Sequence, residues 1–267
     1  MSNPAQSLNN ERVLLRDTRD SVVTLTLNRP RSYNALNEAL LDALEAALDD
    51  IEQDRSLRVV VVAANGQAFC AGHDFKEMQR NRSEIYYRRL FSRSSELMMR
   101  LMRLPQPVIA RVHATATANG CNLVASCDLA VASTEARFAV SGVNYGLFCS
   151  TPSVGLSRNV SRKRAFELLV TGDFIDAETA KDYGLVNRVV PAERLNAEVH
   201  LLATTICSKS RVAIATGKRM FYTQIEKELL SAYDFANGVM ASNMMTDDAE
   251  EGVDAFIQKR PPAWKDR

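Results

Sequence analysis

Histidine is scarce in this chain. His73, His113 and His200 are the three in 267 residues, and they lie far apart. No H-E-x-x-H sets two of them on one helix face, which excludes the common helical zinc-hydrolase site. The five cysteines, Cys70, Cys121, Cys127, Cys149 and Cys207, are odd in number and form no C-x-x-C pair. That excludes a zinc ribbon and a disulfide framework. The sequence predicts reduced, mostly buried thiols, no metal centre and a cytoplasmic protein. Charge of one sign is also lacking, since 33 basic residues face 32 acidic ones for a net of +1. A general nucleic-acid or membrane-surface binder is thereby disfavoured. Aromatics make up 7% and are not interleaved with basic clusters, so there is no stacking platform for single strands. No apolar run reaches the length of a bilayer span. Met1–Asn10 is polar and lacks the basic and apolar regions of a secretory signal. No G-x-G-x-x-G follows a strand, and neither a P-loop nor a G-x-S-x-G elbow occurs.

What is present is a chain that is 46% hydrophobic and long enough to bury most of its unfolded surface. Residues 21–28 are β-branched and alternating, and Pro30 stops them, which predicts a strand. Leu40, Leu44, Leu48 and Ile51 recur at helical spacing, predicting a helix over 37–51. The continuous apolar run at 58–63 suits a strand buried on both faces. A second amphipathic helix is predicted over 83–104, ended by Pro105 and Pro107. Further short strands are predicted at 108–112 and 128–132, with a buried helix between them over 118–127. Residues 138–153 read as irregular. From Arg162 onward the chain reads as almost wholly helical, with a short helix capped by Asp176 and ended by Gly184, then stretches over 192–210, 211–245 and 248–259. The fold class is α/β, with a core over residues 1–195 and a C-terminal helical region over 196–267.

Two segments place backbone amides after a buried strand: Ala68–Asp74, and Thr117–Asn122 at a helix start. A helix N-terminus presents unpaired N–H groups and the positive end of the macrodipole. Two such amides converging would form an oxyanion hole. Small-residue loops of this kind are also common as tight connections.

These segments belong to a longer series. Leu27-Asn28-Arg29-Pro30 with Asn34-Ala35-Leu36 comes first, then AFCAGHDFKEM at 68–78 and PVIARVHATATANGCNLVASCDLAVAS at 107–133. TGDFIDAETAKDYGLVNRVVP at 171–191 and EGVDAFIQKR at 251–260 follow. Jointly and in this order the series resembles the crotonase superfamily, the enoyl-CoA hydratase/isomerase family. The resemblance implies a spiral of ββα units with a C-terminal helical trimerisation region, a homotrimer or dimer of trimers, and an acyl-CoA thioester as partner. Coenzyme A would arrive as part of the substrate, with no further cofactor. The family chemistry is stabilisation of a thioester enolate by two backbone amides, which fall here on His73 and Asn119. The usual side chains there are often alanine and glycine, so both residues depart in side chain and not in amide. By the same analogy Arg31, Lys76 and Lys259 approach the CoA phosphates and Phe256 the adenine or pantetheine. Ala71, Gly72, His73, Asp74 and Gly120 count among the CoA-binding residues, with backbone groups of Ala71 on the adenine edge and of His73 on the thioester, and Asp74 fixes its loop by accepting amides.

Family hydratases take and give protons with two glutamates. Motif alignment puts these at Asn122 and Gly142, and neither is a carboxylate. An amide is no general base near neutral pH, so ordinary enoyl-CoA hydration is expected to be absent or weak. Isomerase or atypical hydratase-like chemistry, 2-carboxyacyl-CoA decarboxylation and non-catalytic acyl-CoA binding stay open, in lipid or organic-acid metabolism. His73, whose imidazole titrates near working pH in water, Asn122, Tyr145 and Cys149 are the side chains near the expected site. His113, at a strand end, reads as a satisfied buried histidine.

Overall fold

The computed structural model describes residues 12–267, and Met1–Asn10 lies outside them. Two sheets organise the chain. The first contains β1 (Leu14–Arg19), β2 (Val22–Leu27), β3 (Val59–Ala64), β5 (Val108–Val112), β7 (Leu129–Ser133) and β10 (Arg188–Val190), in the order β1-β2-β3-β5-β7-β10. The second contains β4 (Ala68–Cys70), β6 (Thr115–Thr117), β8 (Arg137–Ala139) and β9 (Ile175–Asp176), in that order. β3, β5 and β7 join the first sheet, and the strand that follows each joins the second. Helices then return the chain, which makes the ββα spiral. Pairing is parallel except at β1–β2 and β8–β9.

Residue chemistry explains these elements. In β2, Val23, Leu25 and Leu27 are buried and alternate with half-buried residues, while every residue of β3 is buried. Helix α1 (Glu38–Gln53) starts where the Asn37 side chain accepts the Leu40 N–H, and it buries Leu40, Leu41, Leu44, Leu48 and Ile51. Helix α2 (Phe75–Arg80) follows the first amide-bearing loop, and α3 (Glu84–Arg103) packs along α1. Arg93 on α3 reaches Glu45 on α1 at 2.7 Å. Helix α4 (Asn119–Ser126) is short and wholly buried. Then come α5 (Ser150–Asn159), α6 (Arg162–Thr171) and α7 (Ala177–Asp182), the last capped by Asp176 accepting from Thr179. Helix α8 (Leu195–Cys207) lays Leu195, Val199 and Ala203 on the face of the first sheet that α1 and α3 leave open. Helices α9 (Arg211–Gln224), α10 (Leu229–Met244) and α11 (Asp247–Gln258) end the fold.

Several expectations change. β1 is a polar edge strand with no apolar alternation to mark it. β4, β6 and β8 have three residues each, too few to show a period. β9 and β10 interrupt the region read as wholly helical. The stretch over 211–245 is two helices with a break between Gln224 and Leu229, and α5 begins inside the segment read as irregular.

Candidate active site

The two amide-bearing loops meet because β4 and β6 are parallel neighbours, with Ala68 opposite Thr115 and Cys70 opposite Ala116. The loop after β4 pairs back with residues 33–36. Ala71 N–H donates to Tyr33 O (3.0 Å), Leu36 N–H to Gly72 O (2.7 Å) and Asp74 N–H to Leu36 O (3.1 Å). In a bridge of this kind the amides alternate in direction. The His73 N–H therefore points away from Leu36, and no acceptor meets it among the described residues. The loop after β6 turns at Ala118, whose N–H still continues the ladder to Ala139 O (3.0 Å). Its φ of 50° with ψ of −123° is strained for a residue with a Cβ and costs about 1–3 kcal/mol. That turn leaves the Asn119 N–H unpaired at the first position of α4, at the positive end of the helix.

Two glycines allow the loops to touch. A Cβ on Gly72 would lie 2.9 Å from Ala118 Cβ and 3.1 Å from Asn119 N, and Gly72 holds a φ of 90°. A Cβ on Gly120 would lie 2.0 Å from Cys70 O. The two free amides thus sit on adjoining backbone with no side chain between them, as an oxyanion hole requires.

The side chains of both amide residues turn to α3. Phe91 packs its ring on that of His73 (centroids 5.2 Å apart), and one turn later Ser94 Oγ accepts from Asn119 Nδ2 at 2.6 Å. Asn119 Oδ1 accepts from Asn122 Nδ2 at 3.1 Å. Asn122 Oδ1 faces Gly155 on α5, where a Cβ would come within 2.3 Å. Asn122 is therefore the buried end of a hydrogen-bonded chain from Ser94 through Asn119, and it lies against Gly155 of α5. Burial pushes the His73 imidazole down to about 4, and its Nε2 is sealed without a partner. At neutral pH the ring is uncharged and a weak base.

Gly142 sits in a 3-10 turn over Ser141–Tyr145. Its N–H points to Cys149 Sγ (3.3 Å), and its carbonyl accepts from Leu147 N–H (3.0 Å). A Cβ there would lie 2.5 Å from Leu147 O and 2.7 Å from Cys149 Sγ. The position excludes a side chain as the turn stands. Residues 114–127 and 138–166, which supply α4, the 3-10 turn and α5, contain no Asp or Glu at all. Burial raises the thiols of Cys70 and Cys121 to about 12 and also raises that of Cys149, so none is a ready thiolate nucleophile. Tyr145 is exposed, edge-on to Phe75. His113 donates Nε2–H to Gly66 O at 2.8 Å, a structural bond.

The remaining candidates divide. Asp74 caps α2 by accepting from Lys76 N and Glu77 N, and it pairs with Arg29 at 2.9 Å. Burial works against its charge, yet Arg29 and the two amides hold the carboxyl below the usual range. Arg31, in a 3-10 turn over Pro30–Ser32, and Lys76, in the first turn of α2, are exposed. Ala71 uses its N–H on Tyr33. Phe256 (85% exposed) and Lys259 lie at the end of α11, which packs on α9 and α10. No hydrogen bond, ion pair or ring contact among the described residues joins these two to the amide pair. The sequence places Phe91 on an apolar helix face and Arg29 in a family motif but gives neither these nor Ser94 a role at the site, because each acts across more than 15 residues of chain. Among the described residues no group of three or more His, Cys, Asp or Glu is placed to hold a metal ion.

Comparison with known proteins identifies the family and the fold. The family model for enoyl-CoA hydratase/isomerase matches residues 17–267. The mouse mitochondrial enoyl-CoA hydratase domain-containing protein 3 is 43% identical over 98% of this chain and 87% of its own length. A crystal structure of enoyl-CoA hydratase from Mycobacterium smegmatis superposes with a TM-score of 0.94 at 57% identity, covering 95% of this chain and 99% of that one. The crystal structure of human enoyl Coenzyme A hydratase domain-containing protein 3 gives a TM-score of 0.92 at 41% identity, covering 95% and 100%. The chain belongs to the enoyl-CoA hydratase/isomerase family of the crotonase superfamily.

Proposed function

We propose that the protein is an acyl-CoA enzyme that holds a thioester enolate between the amides of His73 and Asn119 and does not carry out ordinary enoyl-CoA hydration. The observation that carries this reading is the pair of unpaired N–H groups on touching loops. A thioester oxygen placed between them would gain charge as the enolate forms, and removing one such donor typically costs about 3 kcal/mol of barrier. Hydration also needs a base on water and a proton for the α-carbon. Asn122 offers an amide already engaged by Asn119, and Gly142 offers nothing. The cations Arg31, Lys76 and Lys259 would meet the CoA phosphates, Phe256 the adenine or pantetheine.

One specific reaction is favoured by the absence of Asp and Glu from residues 114–127 and 138–166, with Asp74 held on Arg29. In 2-carboxyacyl-CoA decarboxylation the carboxylate leaves as CO₂, and its bonding pair becomes the enolate. A solvent proton then closes the α-carbon. The uncharged, desolvated His73 ring adds no opposing base. The exposed apolar residues of α10, including Leu229, Leu230, Tyr233 and Met240, support assembly as a trimer or dimer of trimers through the helical region. The buried free thiols support a reducing compartment, the cytoplasm, and cell fractionation tests this against the mitochondrial relatives.

Purified protein given crotonyl-CoA, a 3-enoyl-CoA and methylmalonyl-CoA, followed by absorbance and CO₂ release, tests the proposal. CO₂ release from methylmalonyl-CoA with negligible crotonyl-CoA hydration is expected. Rapid hydration would overturn it. Binding of all three without turnover would instead make the protein a non-catalytic acyl-CoA binder.

A further inference from the structure

On the other face of the first sheet a guanidinium stands without a counter-charge. Arg111 follows Ile109 by two on central strand β5, so both side chains point to the α8 face and away from the core that holds Cys70 and Cys121. Burial disfavours the charged form of Arg111. Its described partner is a neutral amide, Asn196 Oδ1 on α8, which accepts from Nη1. No ion pair forms with it among the described residues. A partly buried cation left on one amide is costly unless something else answers its charge.

Arg111 opens into a cavity of about 420 Å³ between α8 and strands β1–β3, within the roughly 300–1,000 Å³ of small-molecule sites. Val22, Val61, Val199 and Ala203 supply an apolar lining. Asn196, with its Nδ2 still free, Thr24 and His200 supply polar groups beside Arg111. Asp17, Arg19 and Asp20 also border the cavity. Asp17 is paired with Arg19 at 2.9 Å, and Asp20 is exposed at the β1–β2 turn, where water screens it. The cavity therefore combines an aliphatic wall with one guanidinium, Arg111, that has no ion-pair partner among the described residues. None of the residues of the amide pair lines it.

We propose that this cavity is a second binding site, separate from the oxyanion loops, for a short aliphatic carboxylate. The carboxylate takes the free edge of the Arg111 guanidinium and Asn196 Nδ2, and the alkyl chain lies on Val22, Val61 and Val199. An aliphatic chain distinguishes this ligand from a bare inorganic anion, and its charge distinguishes it from a neutral amide of equal size.

Calorimetric titration of the full chain with butyrate, butyramide and inorganic phosphate tests the site. Saturable butyrate binding is expected, at least ten-fold tighter than butyramide or phosphate. It should weaken ten-fold or more in Arg111→Met, which keeps the length and loses the charge. Val22→Phe, which fills the wall and leaves Arg111 in place, should weaken butyrate while leaving phosphate unchanged. Circular dichroism of both variants checks that the fold is intact. Absence of butyrate binding, butyrate binding unchanged in Arg111→Met, or phosphate binding as tight as butyrate would overturn the proposal.

Discussion

At position 142 the turn as it stands leaves no room for a side chain. Leu147 O and Cys149 Sγ occupy the space that the first side-chain atom of a glutamate would need. A carboxylate at this position would therefore require the turn to shift. Gly142→Glu is expected to lose about 1–3 kcal/mol of stability, the usual cost of overpacking, as read from denaturant midpoints. Asn122→Glu would set a carboxylate against Asn119 Oδ1 in a buried chain, and the double variant should gain no crotonyl-CoA hydration. A stable double variant that hydrates would show that the turn yields. His73 carries a second consequence at this scale. Its imidazole sits at about 4 in the fold against 6.5 in the open chain. As pH falls below 6.5 the unfolded chain takes the proton first, so the folded state loses stability between 6.5 and 4, with no contribution above that window. The loss is at most about 1.4 kcal/mol per pH unit, and less where solvent reaches the ring. Denaturant unfolding of wild type and His73→Gln across pH 4–8 should show this slope in the difference between them. A flat difference would mean that the ring is hydrated.

Elements set these residues in place, and they differ in how much the sequence displays. Helices α1 and α3 and strands β2 and β3 are legible because their apolar periods run over six residues or more. The strands that carry the site are not, since three-residue β4, β6 and β8 are held by neighbours and not by local pattern. Gly72 and Gly120 stand out in the sequence, yet the reason for them, contact between two loops about 48 residues apart, exists only in three dimensions. The two free amides were legible through motif resemblance. Their support from Phe91 and Ser94 was not, because a serine on a charged amphipathic helix gives no sign of facing inward. The C-terminal helices show the same limit. Lys218 on α9 looks like one more surface lysine, but its Nζ donates to Asp128 Oδ2 (2.6 Å), Leu101 O (2.8 Å) and Gln106 O (2.9 Å). Burial works against the charge of both partners, so the pair holds α9 to the core only while complete. Lys218→Met should cost about 3–5 kcal/mol by stranding Asp128, and Lys218→Met with Asp128→Asn should cost less than the single change. A double-mutant cycle in which the two single losses simply add would deny the coupling.

The whole molecule joins a spiral core, which sets the two amides side by side, to a helical region that one chain leaves with exposed apolar surface. Leu229 and Leu230 are about three-quarters exposed on α10. Light scattering on the purified protein should give a trimer or hexamer mass, and Leu229→Glu/Leu230→Glu should shift it toward the monomer. A monomeric wild type would leave those residues without a partner. Two backbone donors on a thioester oxygen draw electron density to that oxygen and weaken its carbonyl bond. The most direct measurement is isotope-edited difference infrared spectroscopy of butyryl-CoA, labelled with ¹³C at the thioester carbonyl and bound to the intact protein. The stretch should move to lower frequency on binding, relative to the same ester in water. A bound thioester whose stretch stays at or above its frequency in water would contradict the oxyanion site.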